Sequence, residues 1–563
     1  MIEFHHVWLR YREQSAPVLR DVDFTIEDGQ LVLVSGRTGS GKTTLLGAVN
    51  GHVPHFTGGM MSGSVVVDGL DTASHPPREL SGVVGMVAQD PLAGFVTDTV
   101  EEELAYSMEQ MGVAAPVMRT RVEETLDILG LAELRGRTLR TLSGGQQQRV
   151  AIGSVLAAGV RVLVLDEPTS ALDPVSSEEV LAALLRLVHD LGLTVVVAEH
   201  RLERVVGYAD AMLALRGDGT VRLASPREIM ATSSLIPPVV ELGRAVGMPG
   251  VPLTVREARG WAGPLRTRLE KADPASYDRL PRSEGCDPAS QSTARVAGVG
   301  QGLDVASIRL NYGSVMALDG VDLRCEPGMV TVVMGRNGSG KSSLLWALTG
   351  VVPIQGGRFS VDGRLWSTAK PREIRRVIRL VPQSAADLLY LDSVQAECDA
   401  ADHQAGVPSG SCQGLLDRLA PGIDPVIHPR DLSEGQKLCL VLAIQLTGDP
   451  AVILLDEPTR GLDYPAKTSL ARILTDVARQ GRVVLMVTHD VEFAAVVADQ
   501  ILVMAQGQVI QAGTAEQVLG TSALFASQVA KVLYPQRWLT PYQVVEALEG
   551  QVVAGRPSGW GQS

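Results

Sequence analysis

Two short stretches of this chain carry the residues needed to handle phosphate. Gly36, Gly39, Gly41, Lys42, Thr43 and Thr44 follow the apolar run Leu31–Val34; Gly335, Gly338, Gly340, Lys341, Ser342 and Ser343 follow Val330–Met334. Each glycine-rich stretch then opens into an apolar, helix-like segment, so the glycines fall on a turn between a buried strand and a helix. Such a turn lets backbone N–H groups converge on phosphate oxygens with no Cβ in the way, and the helix start adds its dipole. Lys42 and Lys341 are expected to reach the β and γ phosphates of a nucleoside triphosphate, with Thr43 and Ser342 on Mg²⁺. A single string of this kind can arise by chance; two at matching positions do not.

A second pair of sites supplies acid chemistry. Val162–Leu165 runs into Asp166 and Glu167, and Val452–Leu455 runs into Asp456 and Glu457. Four apolar residues ending on a carboxylate predict a buried strand whose carboxyl edge faces a ligand, as in open α/β sheets. Adjacent carboxylates there have separable roles: Asp166 and Asp456 anchor Mg²⁺, while Glu167 and Glu457 polarise an attacking water.

The elements that position these groups recur. Leu142, Ser143, Gly145 and Gln146 return as Leu432, Ser433, Gly435 and Gln436, and Thr232–Leu235 with Pro252–Ala258 resembles Thr521–Leu524 with Trp538–Ala547. The expected organisation is a first domain over 1–230 with an extension over 231–270, a flexible Pro/Ser/Gly-rich linker over 271–302, a second domain over 303–525 and its extension over 526–563. Aromatics are only 4 %, so the cores must rest on Val, Leu, Ile and Ala. The net charge of −13 argues against nucleic acid as a partner. Five cysteines form no C-x-x-C pair and read as reduced thiols with no metal role. No signal peptide is expected at the N-terminus, and no apolar run is long enough to span a membrane.

With phosphate loops, signature-like strings and acidic strand ends in this order twice, the chain resembles the ATP-binding-cassette (ABC) ATPases over nearly its whole length. That resemblance implies two α/β nucleotide-binding domains in tandem, each with a helical signature subdomain and a small C-terminal extension. It makes Gln89 and Gln383 the Q-loop glutamines, which also approach Mg²⁺. His200 and His489 become switch histidines that act in catalysis, and Tyr11 and Tyr312 the aromatics on adenine. It also implies that the halves pair within one chain. Lys42 would then share one ATP with Ser433 and Gly435, and Lys341 another with Ser143 and Gly145. Glu434 stands where the first half has Gly144, so two competent but unequal sites are expected.

Within the family, the passages around Asn50–Thr72, Gln89–Leu104 and Asp456–Tyr464 resemble the ATPase of energy-coupling-factor importers for vitamins or transition-metal ions, although the second Q-loop departs from that pattern. The likeness implies a cytoplasmic protein peripheral on the inner face of the membrane. Its partners would be a transmembrane coupling subunit and a substrate-binding membrane subunit. The alternatives are the fused ATPase of a conventional peptide, sugar or nickel importer, and a ribosome-associated double cassette. The Pro- and Gly-bearing interdomain segment disfavours the last.

Overall fold

The computed structural model describes residues 1–12, 16–281 and 302–554. The chain divides into two compact units, Met1–Val240 with Val251–Thr254, and Glu241–Gly250 with Val255–Ser563.

In the first unit, β1 (Ile2–Arg10), β2 (Leu19–Ile26), β4 (Met60–Val67) and β5 (Leu70–Asp71) form a four-stranded antiparallel sheet in the order β2-β1-β4-β5. The central sheet has the order β10-β9-β3-β8-β7-β6. It contains β3 (Leu31–Ser35), β6 (Val84–Val87), β7 (Val162–Asp166), β8 (Thr194–Ala198), β9 (Ala211–Leu215) and β10 (Val221–Ala224). All its pairs are parallel except β9–β10. Strands β3 and β8 are buried at every position, which their unbroken Val/Leu/Ala runs require of a sheet covered on both faces.

The second unit repeats this plan. Its antiparallel sheet is β12 (Val315–Cys325), β11 (Leu303–Tyr312), β14 (Gly356–Val361) and β15 (Arg364–Leu365). Its central sheet runs β16 (Ile378–Val381), β17 (Val452–Asp456), β18 (Val483–Val487), β13 (Val330–Met334), β19 (Gln500–Ala505) and β20 (Gln508–Thr514), the same order strand for strand. Three helices complete a signature subdomain in each unit: Val100–Gln110, Ala115–Ile128 and Gly144–Ala157 in the first, Val394–Ala405, Ser411–Leu419 and Glu434–Leu446 in the second. The fold class expected from the sequence is the one observed.

The extensions fall differently from the expected boundaries. Helices Val255–Trp261 and Gly263–Leu269, assigned above to the first half, belong to the second unit, where they pack on Gln528–Leu533 and Pro541–Ala554. Each is a seven-residue helix with few apolar side chains, and burying Ala258, Leu265 and Leu269 against a neighbour is what stabilises it. Arg266 donates from Nη2 to the carbonyl of Val532 (2.7 Å), and Gln536 returns a bond to the carbonyl of Arg266 (2.8 Å). The start of the expected linker is also held: Gln543 donates to the carbonyl of Pro274, Asp278 N–H donates to Glu546, and Tyr277 lies against buried Trp538. The rest of that linker, 282–301 with Cys286, lies outside the described residues, as does the end of the second extension, 555–563.

Leu454 is fully buried in β17, in the core beneath the acidic strand end. Leu454→Ala is expected to destabilise the second unit by about 3 kcal/mol through lost burial and the cavity left behind. Urea unfolding followed by a probe in that unit measures it.

Candidate active site

In both units the phosphate loop is closed by its own lysine. Lys42 Nζ donates to the carbonyls of Gly36 (2.9 Å) and Arg37 (3.2 Å), and Lys341 Nζ to those of Gly335 (2.9 Å) and Arg336 (2.8 Å). Both lysines are buried, so each cation is fixed inside the ring that its loop draws. Gly39 and Gly338 adopt φ of 79° and 77°, and a Cβ on either would point into open space at the loop mouth. That left-handed backbone and clear mouth suit a polyphosphate approached by main-chain N–H groups. The hydroxyls of Ser40 and Ser339, buried in the same loops, have no hydrogen-bond partner among the described residues. Gly41 and Gly340 cap the helices Lys42–Val49 and Lys341–Leu348.

The acidic strand ends meet these helices. Thr43 Oγ1 donates to Asp166 Oδ2 at 2.8 Å, and the Ser342 hydroxyl bonds Asp456 in the same way. Burial raises the pKa of both aspartates, that of Asp456 to about 6. Asp456 Oδ1 is buried with no hydrogen-bond partner among the described residues. A hydroxyl, a desolvated carboxylate and a second carboxylate beside it form an oxygen-rich donor set that fits a hard divalent cation.

Glu167 and Glu457 sit at φ of 50° and 48°, in the left-handed region, and in each the N–H is bonded to the neighbouring strand end, Ala198 O or Val487 O. Strain of this kind persists where surrounding bonds over-determine it. Both side chains are met by the histidine expected to switch: His200 Nε2 lies 2.9 Å from Glu167 Oε1, and His489 Nδ1 lies 2.8 Å from Glu457 Oε1. The remaining oxygens are held differently. Gln89 Nε2 donates to Glu167 Oε2 (3.1 Å), whereas Glu457 Oε2 accepts from Thr488 Oγ1 (3.1 Å) and His489 N (3.2 Å). Gln383 is exposed and lines a small cleft with Glu434, Glu457 and Arg460.

The tyrosines part company too. Tyr11 hydrogen-bonds Thr44 Oγ1 (3.1 Å) and packs on the first core, while Tyr312 is exposed at the end of β11. Ser343 follows Ser342 in the first turn of its helix.

Each signature string starts a helix. Ser143 and Ser433 are exposed N-caps in capping boxes: the serine oxygen accepts from the N–H of Gln146 or Gln436, whose side chain accepts from the serine N–H. The two glutamines are thereby occupied in holding the helix start. Gly145 is buried against Ser176, and Gly435 is more loosely seated against Ala466. Glu434 does not present a bare carboxylate, because Lys437 Nζ bonds it at 2.9 Å. Lys437 stands where the first half has Gln147, and its i,i+3 spacing from Glu434 was a readable signal.

The sequence gives no sign of several buried carboxylates, Glu103 and Glu397 among them. Glu103 accepts from Val96 N, Thr97 N and Thr97 Oγ1, and Glu397 accepts from Leu391 N and Tyr390 N, so each ties the segment after its Q-loop to the signature subdomain. The described cysteines (Cys325, Cys398, Cys412 and Cys439) are free thiols, and among the described residues no three or more His, Cys, Asp or Glu side chains gather in one metal-holding group.

Two phosphate loops facing two acidic strand ends, each with a signature helix, define a tandem ATP-hydrolysing cassette protein. The family model described as ABC transporter matches residues 19–170 and 318–460. The chain is 52% identical over 97% of its length to a provisionally named ABC transporter ATP-binding protein of Streptomyces avermitilis, covering all of that protein. A similarly named protein of Methanosarcina acetivorans is 31% identical over 92% of this chain and 85% of its own. A solved structure of cbiO1 from Clostridium perfringens, described as part of the ABC transporter complex cbiONQ, matches 41% of this chain and 90% of its own at 28% identity, with a TM-score of 0.38. This chain belongs to the ABC transporter ATP-binding proteins.

Replacing both Glu167 and Glu457 by Gln is expected to lower ATP turnover about 100-fold or more while ATP still binds, the outcome that the general-base role expected of them requires with the loops untouched. Lys42→Met with Lys341→Met should instead abolish binding. Phosphate release and equilibrium binding of a fluorescent ATP analogue separate the two outcomes.

Proposed function

We propose that this chain is the ATPase of a membrane importer of the energy-coupling-factor type, carrying a vitamin or a transition-metal ion inward. The supporting observation is a pair of exposed apolar loops beside the sites. Leu92 and Val96 follow Gln89, Tyr390 and Leu391 follow Gln383, and each loop is tied by a buried glutamate to its signature subdomain. No helix among the described residues is long and apolar enough to cross a membrane; in this reading, work on a membrane substrate passes through contact with another subunit. Apolar side chains on segments bonded to both the Q-loop and the signature subdomain suit the helices of a transmembrane coupling subunit, which would work with a substrate-binding membrane subunit. The chain would then lie on the cytoplasmic face of the membrane. The choice of importer type rests on the sequence likeness around Asn50–Thr72 and Gln89–Leu104.

In this reading each ATP is held by the phosphate loop of one half and the signature of the other, Lys42 with Ser433 and Gly435, Lys341 with Ser143 and Gly145. The exposed serine at each helix start, with main-chain N–H groups behind it, suits a γ-phosphate. Mg²⁺, held by Thr43, Asp166 and Gln89 or by Ser342, Asp456 and Gln383, would offset the polyphosphate charge. Glu167 and Glu457 take a proton from the attacking water. His200 and His489 orient those carboxylates, and Tyr11 and Tyr312 supply aromatic surface for the adenine.

Tagged protein purified from detergent-solubilised host membranes and analysed by mass spectrometry tests this. A multi-spanning coupling protein together with a small membrane protein is the expected result. Ribosomal proteins without membrane partners would overturn the importer reading and leave the ATPase chemistry standing.

A further inference from the structure

One buried and one half-buried charged residue of the first unit have no part in the reaction as described. Glu199, immediately before His200, is almost fully buried at the end of β8, and Arg204 lies one turn on. Both point to the turn that follows Glu167. Thr169 N–H donates to Glu199 Oε1 at 2.9 Å. Arg204 donates from Nη1 to the Thr169 carbonyl (2.6 Å) and hydroxyl (2.9 Å), and from Nη2 to the Leu172 carbonyl (3.5 Å). The same turn is bonded to the acidic strand end, because Ser170 N–H donates to the Glu167 carbonyl at 3.2 Å. Burial raises the pKa of the Glu199 carboxyl, and the Arg204 cation works against that.

The second unit solves the same problem with other residues. Thr488 precedes His489 there, and Phe493 stands at the place of Arg204. Thr488 reaches the Glu457 carboxylate itself, and a buried ion pair, Lys467 to Asp490 at 2.7 Å, lies beside it. In the first unit the residue before the histidine is spent on backbone instead, so Glu167, at the same left-handed φ as Glu457, is backed by a turn that Glu199 and Arg204 hold.

We propose that Glu199 and Arg204 are positioning residues for hydrolysis in the first half. They fix the Thr169–Leu172 turn and, through Ser170, the backbone of Glu167, so that its carboxylate stays aimed at the water it activates. They touch no substrate. Their loss therefore slows the chemical step and leaves ATP affinity alone, since the phosphate loop lies on another element.

The test uses the full chain carrying Glu457→Gln, so that hydrolysis reports on Glu167, under single-turnover conditions with protein in excess of radiolabelled ATP. Relative to that background, Glu199→Ala is expected to lower the hydrolysis rate constant about tenfold with the ATP Kd unchanged within about twofold. Glu199→Gln keeps an oxygen acceptor for Thr169 N–H and should recover to within about threefold of the background. Because Glu199→Ala removes the carboxylate beside the half-buried Arg204 guanidinium and can fail to fold, Arg204→Lys is the second variant. It keeps the charge but not the fork that spans the two carbonyls, and should slow hydrolysis about threefold or more at unchanged Kd. An unchanged rate in Glu199→Ala or in Arg204→Lys overturns the proposal. So does a rate that falls only in step with ATP affinity, which would mark the pair as holding the fold and nothing more.

Discussion

Two successive carboxylates at the end of a buried strand lose water and repel each other, and the rest of each unit is arranged around that cost. Asp166 and Asp456 are desolvated enough for their pKa to rise, Asp456 to about 6. The first turn of the phosphate-loop helix answers with a hydroxyl, from Thr43 or Ser342. The glutamate that follows adopts a left-handed backbone and is caught by a histidine from the next strand end. Each bond joins elements far apart in sequence, so the parallel sheet is what brings loop, carboxylates and histidine to one edge. The closed lysine rings and the clear loop mouths at Gly39 and Gly338 lie at that same edge.

The halves agree in plan and differ in how the glutamate is held. In the first, Gln89 and His200 reach the Glu167 carboxylate while Glu199 and Arg204 hold the backbone after it. In the second, Thr488 and the His489 main chain bind Glu457 directly, and Gln383 is exposed. The signatures differ in parallel. Glu434 brings a negative charge to the second helix start, and Lys437 neutralises it at 2.9 Å. The two signature strings thus differ in charge less than Glu434 alone would make them, because Lys437 pairs with it.

What could be read from the sequence was what depends on neighbours in the chain. Strand, glycine turn and helix are consecutive around Lys42 and Lys341, and a short apolar run ending on an acid is a local pattern, so these elements and the tandem plan were legible. Contacts at long separation were not. Nothing local shows that Val255–Leu269 packs on helices near the C-terminus, and the similarity of the two extensions argued for one per half, whereas helices of both copies bury their apolar side chains on each other in the second unit. The segment after Leu269 looked like linker because of its Pro and Ser, yet Pro274 and Asp278 are bonded to Gln543 and Glu546. Glu103, Glu199 and Glu397 were invisible as anchors, since a glutamate in sequence carries no sign of which main-chain N–H groups it will meet. Glu199 did leave one clue, a charge placed directly after the wholly apolar run Val195–Ala198.

Two complete hydrolytic sites in one chain are tested most directly by counting nucleotide. The full-length protein with Glu167→Gln and Glu457→Gln, saturated with Mg²⁺ and ATP and separated rapidly from free ligand, should retain two ATP per chain. Adding either Lys42→Met or Lys341→Met should bring that to one. A single ATP per chain before any lysine is changed, or two that survive the loss of either lysine, would contradict the account.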